Sequence, residues 1–243
     1  MTQLKKQLGL LAVFSVASGA MISSGLFVLP AIAFEKSGSA MIFSYLIASI
    51  MVLPTVLAQA ELATAMPKAG GAYFHIERSM GSLLGLFSGF ANWFALALKS
   101  AFAILGMAVF IKIFIEQLIN SPLDPLYLKV ISVACCLFFM ALNIFSVKST
   151  TNFQVILVLF LLFILSIFSI KGFSAINPEH FKDLKFVNYT GILKTAGVVF
   201  ISFGGLTHVA SVAEETKNPG KKIPAAMILA WLIVSFLYLT TVT

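Results

Sequence analysis

Read for apolar and polar positions, the chain alternates long uncharged runs with short charged ones, and the runs are too long for soluble secondary structure. A helix that crosses a bilayer needs about 20 mostly apolar residues. Seven stretches meet or approach that length: 8–34, 40–60, 85–115, 127–147, 153–170, 191–213 and 223–243. Lys99 and Lys112 interrupt the third. The pattern predicts an all-α, polytopic transmembrane helical bundle of about seven spans, with residues 1–243 as one membrane domain. The last run is still apolar at Thr243. The bundle is therefore expected to be incomplete, the product of a truncated gene or a fragment. A complete seven-helix protein with a bare C-terminus is the other reading.

The first run also separates a retained helix from a leader. Lys5 and Lys6 precede it, but the uncharged stretch 7–34 far exceeds the apolar core of a secretory signal. The first helix is expected to stay in the membrane.

Composition agrees with the pattern. Hydrophobic residues make up 60% of the chain and charged residues 10%, against about 25% charged in soluble domains. The net charge of +7 would raise nucleic acid as a partner in a soluble protein. Here the cations fall between apolar runs, where anchoring at lipid headgroups accounts for them and no nucleic acid is implied. With the N-terminus inside, Lys5, Lys6, Lys68, Arg78, Lys148, Lys217, Lys221 and Lys222 lie inside, and a nearly equal set lies outside. The cytoplasmic N-terminus and a plasma-membrane location are expectations on that basis. Cys135 and Cys136 are adjacent, so on a helix they point apart, and neither a disulfide nor a metal site is implied. Without a nucleotide loop, a metal-ligand cluster or a nucleophile spaced beside a base, no enzyme and no cofactor is expected.

Two spans carry residues that resist helix at mid-membrane depth. The first is Ser18-Gly19-Ala20-Met21-Ile22-Ser23-Ser24-Gly25, followed by Pro30; the second is Ser202-Phe203-Gly204-Gly205-Leu206-Thr207-His208. Glycine lowers helix propensity by about 1 kcal/mol relative to alanine, and serine hydroxyls compete for backbone partners. Unwound backbone in a membrane is tolerated where it lines a cavity, and a pair of broken spans points to a transporter site. Freed N–H groups suit a carboxylate and freed carbonyls an ammonium. An amino acid displays both. The competing reading is that these small residues only let helices pack closely.

Single polar residues add candidates. Lys99, inside the third span, is costly in lipid and is a coupling candidate, as an internal cation or a proton carrier; the blander reading is a snorkelling side chain. His208 adjoins the second break and, as a residue type that ordinarily titrates near neutrality, is a second coupling candidate; the blander reading is a packed, hydrogen-bonded histidine. Glu61, Glu214 and Glu215 are expected at inner helix ends, as ion-pair partners of Lys68, Arg78 or Lys217. Asn188-Tyr189-Thr190 fits an N-glycosylation pattern on the expected outer side.

Three segments then carry a family likeness. Gly19-Ala20-Met21-Ile22-Ser23-Ser24-Gly25-Leu26-Phe27 is similar to G-x-x-I-G-S-G-I-F; Ala60-Glu61-Leu62 with Pro67-Lys68-Ala69-Gly70-Gly71-Ala72-Tyr73 is similar to A-E-L-x-x-x-x-P-x-A-G-G-x-Y; and Phe203-Gly204-Gly205-Leu206 with Ala213-Glu214-Glu215-Thr216-Lys217-Asn218-Pro219 and Ile223-Pro224 is similar to F-x-G-F and A-E-E-x-K-N-P-x-x-x-I-P. In that order they resemble the amino acid–polyamine–organocation (APC) permeases over essentially the whole chain. The resemblance implies a LeuT-type inverted-repeat fold, with a first repeat at about 8–170 and the start of a second at about 191–243. It implies a secondary transporter moving an amino acid or related amine by alternating access, coupled to protons or working by exchange. A truncated, non-transporting remnant that binds a partner is the alternative, and the coding sequence after Thr243 discriminates the two. By resemblance, Met21, Ile22, Ser23, Ser24 and Gly25 hold the substrate's carboxylate and amine, and Phe200, Phe203 and Gly204 line the pocket. Ser23 replaces a family glycine, Leu206 a phenylalanine, and Thr207 an acid common in members, which makes Thr207 a further coupling candidate. No charge occurs between Thr150 and Ile170, so a helix-five lysine found in some members has no counterpart.

Overall fold

The computed structural model describes residues 6–68, 70–145, 147–174 and 189–243; the side chains of Ser23, Ser24 and Thr207 lie outside that description, as does Asn188 of the glycosylation triplet. The described residues are helical almost throughout, beginning with α1 (Leu10–Phe27), α2 (Leu29–Ser37), a 3-10 turn (Gly38–Ala40) and α3 (Met41–Ala65). A short α4 (Ala72–Met80) precedes the long α5 (Ser82–Ile119), α6 (Pro125–Phe145) and α7 (Val147–Ser174). Then α8 (Tyr189–Ser202), a 3-10 segment (Phe203–Thr207), α9 (His208–Ser211) and α10 (Pro219–Val242) follow. Five segments among the described residues are long and apolar enough to span a membrane: Leu29–Ala65, Ser82–Ile119, Asn152–Gly172, Tyr189–Ser211 and Pro219–Val242. Leu10–Ile22 and Pro125–Ala141 are shorter apolar helices at the places of the first and fourth expected spans.

One expectation is corrected. The stretch from Ser18 to Gly25 is not unwound; α1 runs as continuous α-helix to Phe27, and the interruption falls at Val28. Pro30 sets that point. It occupies the first turn of α2, and further upstream its ring would meet the carbonyl four residues earlier while leaving no N–H to bond. The small residues of α1 serve packing instead. A Cβ at Gly19 would lie 2.9 Å from Val158 Cγ2, and one at Gly25 would lie 2.6 Å from Ser202 Cβ. Ser18 Oγ donates to the Phe14 carbonyl within the helix at 2.7 Å. Close packing outweighs the glycine propensity cost of about 1 kcal/mol per residue. At the second expected break the chain leaves α-geometry but stays helical, tightening to 3-10 from Phe203 to Thr207 rather than unwinding.

The core forms around α1. It packs on α10, on the 3-10 segment and on α7, while α3 packs on α10 and α8. Buried positions recur every three or four residues, as on one helix face: Val13, Ala17, Met21 on α1, and Ala226, Ala230, Val234 on α10. Trp231 Nε1 donates to the Ser49 carbonyl at 2.9 Å and ties α10 to α3. Trp231→Phe removes that bond alone, so it is expected to lower stability by about 1 kcal/mol, read as a modest fall in melting temperature in detergent. By contrast α5 is largely exposed, with Trp93, Phe94 and Leu98 outward; such a surface suits acyl chains rather than water.

Two connections shape the ends of the bundle. Gly70 and Gly71 turn the chain from α3 to α4 at φ of 120° and 57°, values that favour glycine. Helix α4 then lies directly on α5, where a Cβ at Gly85 would come 2.9 Å from Glu77 Cα. On α4, the Glu77 carboxylate beside the Tyr73 hydroxyl holds that phenol above its ordinary range. The segment before α1 pairs with the link between α9 and α10: Gln7 and Leu8 N–H donate to the Glu215 carbonyl at 2.9 and 3.0 Å, and Lys217 N–H donates to the Leu8 carbonyl at 3.0 Å. Lys112 and Glu116, one turn apart on α5, form an ion pair at 3.4 Å. The expected pairing of Glu61 with Lys68 or Arg78 is not made, because Glu61 and both cations lie exposed, where a pair gains little over hydration.

Candidate functional site

The site forms where the 3-10 segment meets α1. Gly205 is the point of contact. A Cβ there would lie 2.6 Å from Met21 N and closer still to Ala20, so only glycine lets the two backbones touch. The α1 carbonyls at this level receive side chains from three other helices. Lys99 Nζ on α5 donates to the Ala20 carbonyl at 2.8 Å, Tyr238 Oη on α10 to Met21 at 2.6 Å, and Tyr45 Oη on α3 to Gly25 at 3.1 Å. The rings continue the connection edge to face: Tyr238 lies 5.6 Å from Tyr45 and 5.4 Å from Phe203.

Beside this contact lies a half-open cavity of about 640 Å³ between α5, the start of α2, α8, the 3-10 segment and the start of α9, with Leu98 and Ile201 exposed at its rim. Lys99, Asn92 and His208 give it polar points, and Leu29, Phe102 and Ile201 give it apolar walls. Its volume falls within the range of about 300–1,000 Å³ typical of small-ligand sites.

The residues singled out in the sequence distribute unevenly over this geometry. Lys99, His208 and Gly204 meet at the cavity. Met21, Ile22, Gly25 and Phe203 are buried in the adjoining packing rather than lining the cavity, and Phe200 packs partly buried against the same core. For Ser23, Ser24 and Thr207 only the backbone is described: the serines lie within α1 and Thr207 ends the 3-10 segment. Tyr45 and Tyr238 escaped sequence reasoning. The available signal was a hydroxyl in an otherwise apolar span, which needs a partner when buried. No group of three His, Cys, Asp or Glu side chains able to hold a metal ion occurs among the described residues.

Comparison with known proteins gives the context for this geometry. The amino acid permease family matches residues 8–242. Among curated relatives, the chain is 26% identical to a branched-chain amino acid permease of Bacillus subtilis, over 98% of this chain and 54% of that protein. It is 25% identical to cationic amino acid transporter 1 of Arabidopsis thaliana, over 90% of this chain and 39% of the relative. It is 28% identical to Asc-type amino acid transporter 1 of Mus musculus, over 98% and 47%. The chain thus spans about half the length of the curated relatives it matches.

Proposed function

This chain belongs to the amino acid permease family, and from that premise we propose that it supplies the substrate site of a secondary transporter that moves amino acids across a membrane by alternating access. One observation carries the reading most directly. A helix broken at Phe203–Thr207 touches α1 through Gly205, beside a cavity holding a lysine and a histidine at membrane depth. Substrate would sit between α1, at Met21, Ile22, Ser23, Ser24 and Gly25, and the broken helix, at Phe200, Phe203 and Gly204. For Met21 and Phe203, both buried, that placement requires the helices to part during the cycle. Lys99, His208 and Thr207 are the residues through which protons or an exchanged amino acid would be coupled. Residues 8–170 would form the first repeat and 191–243 the opening of the second, with the N-terminus cytoplasmic in the cell membrane.

The test is uptake by the protein encoded by the complete reading frame, purified and reconstituted in proteoliposomes, with a panel of labelled amino acids and with or without a pH gradient. Saturable uptake of at least one L-amino acid is expected, driven by an inward proton gradient or by amino acid preloaded inside. Folded, reconstituted protein that shows no saturable uptake of any amino acid would sink the reading and favour a non-transporting, partner-binding role.

A further inference from the structure

We propose that the hydroxyls of Tyr45 and Tyr238 are positioning groups that fasten α1 in the closed arrangement seen here, and that an amino acid reaches its place beside Met21 only as their bonds to α1 break. This deepens the permease reading and rests on it. Tyr238 stands on α10 and Tyr45 on α3, and both are almost fully buried. The Tyr238 hydroxyl donates to the Met21 carbonyl at 2.6 Å, and the Tyr45 hydroxyl to the Gly25 carbonyl at 3.1 Å. Those carbonyls are four residues apart, so they lie one above the other on one face of α1. The two rings meet edge to face at 5.6 Å, and Tyr238 meets Phe203 in the same way at 5.4 Å. Tyr238 thus holds α1 with its hydroxyl and Phe203 with its ring, the two sides between which a substrate would lie. Gly25 permits the approach, since a Cβ there would collide with the Tyr238 hydroxyl.

Met21 and Phe203 are fully buried in this packing, so a substrate between them requires α1 to move off the 3-10 segment. The bonds cannot follow that movement. The Tyr238 ring is lodged between Tyr45 and Phe203, a phenol cannot lengthen its reach, and hydroxyl–carbonyl bonds weaken beyond about 3 Å. In the membrane interior the released groups find little water. Interhelical bonds of this kind shift an equilibrium by about 3–10-fold. Apparent affinity is the intrinsic affinity scaled by the populated fraction of the binding-competent state. A bond made only in the closed state lowers that fraction. Its removal should therefore tighten apparent binding, the reverse of what the loss of a substrate contact does.

The experiment measures uptake of each proteinogenic L-amino acid, radiolabelled, by wild type, Tyr45→Phe, Tyr238→Phe and the double variant, all made from the complete reading frame and reconstituted in proteoliposomes. For each amino acid that the wild type takes up, KM is expected to fall about 3–10-fold in each single variant and about 10-fold or more in the double variant, with kcat within about 3-fold of wild type. The concentration of that amino acid that gives half its full rise in melting temperature should fall alongside KM. A bond that only holds the fold together would lower the melting temperature without substrate and leave KM where it was. That result, in folded Tyr238→Phe protein, would overturn the proposal and leave the permease reading intact. A raised KM would overturn it as well, since the hydroxyl would then serve the bound state. If Tyr238→Phe does not reach the membrane, Tyr45→Phe decides by the same two criteria. Absence of saturable uptake of every amino acid by the wild type would instead overturn the permease reading beneath it.

Discussion

Gly205→Val is expected to lower stability by about 3 kcal/mol or more, whereas Gly204→Ala, one residue away, is expected to fold like the wild type. The difference follows from what each new carbon would meet. At Gly204 a Cβ has nothing within 4 Å. At Gly205 it would sit 2.6 Å from Met21 N and against Ala20, and those atoms are helix backbone that cannot rotate aside. Overpacking against side chains that can yield costs about 1–3 kcal/mol. Against a fixed backbone, with the larger valine, the cost should reach or exceed about 3 kcal/mol, a large part of a total stability of about 5–15 kcal/mol. The measurement is the monodisperse fraction after detergent extraction, with melting temperature, for both variants. A Gly205→Val protein that extracts, melts and transports like wild type would show that the 3-10 segment does not touch α1.

The second large effect is expected at Tyr238. Its ring is buried between Tyr45 and Phe203, and its hydroxyl donates to the Met21 carbonyl at 2.6 Å. Tyr238→Ala removes the ring and leaves a cavity at the junction of α1, α3, α10 and the 3-10 segment, for an expected loss of about 3–5 kcal/mol. Tyr238→Phe keeps the ring and removes only the hydroxyl, for about 1 kcal/mol. The two variants separate packing from hydrogen bonding when melting temperatures are compared. Equal, small shifts for both would mean that the aromatic column does not hold α10 on α1. Gly25→Ala should behave like the more severe variant, because its Cβ would lie 2.8 Å from Tyr238 Cζ.

These same residues show how much was legible in the sequence. The second to seventh apolar runs matched helices to within a few residues because charged or turn residues end each of them, as Gly70 and Gly71 do after α3 and Asn218-Pro219 does before α10. The 3-10 segment in the sixth apolar run was legible because the adjacent Gly204 and Gly205 lower helix propensity there. The first helix was misread at the same level of detail. Glycine and serine in a membrane helix serve unwinding and close packing alike, and what decides between them at Gly25 is Tyr238, more than two hundred positions along the chain. Lys99 stood out as a charge in a span, but its acceptor on α1 belongs to tertiary structure. The amphipathic α4 went unnamed because it is only nine residues long and lies between two spans. The carboxylate–lysine pairs expected near Glu61 failed because exposed charges are satisfied by solvent.

The most direct test of a substrate site at the cavity beside the broken helix is the reactivity of a thiol placed at its wall. Gly204→Cys, made in a background where Cys135 and Cys136 are serine, puts a thiol at a position with open space around it. Alkylation by a small methanethiosulfonate reagent in proteoliposomes is expected to slow about 10-fold when a transported amino acid saturates the protein. A rate unchanged by saturating substrate, in a variant that still takes up that amino acid, would contradict a binding site at this cavity.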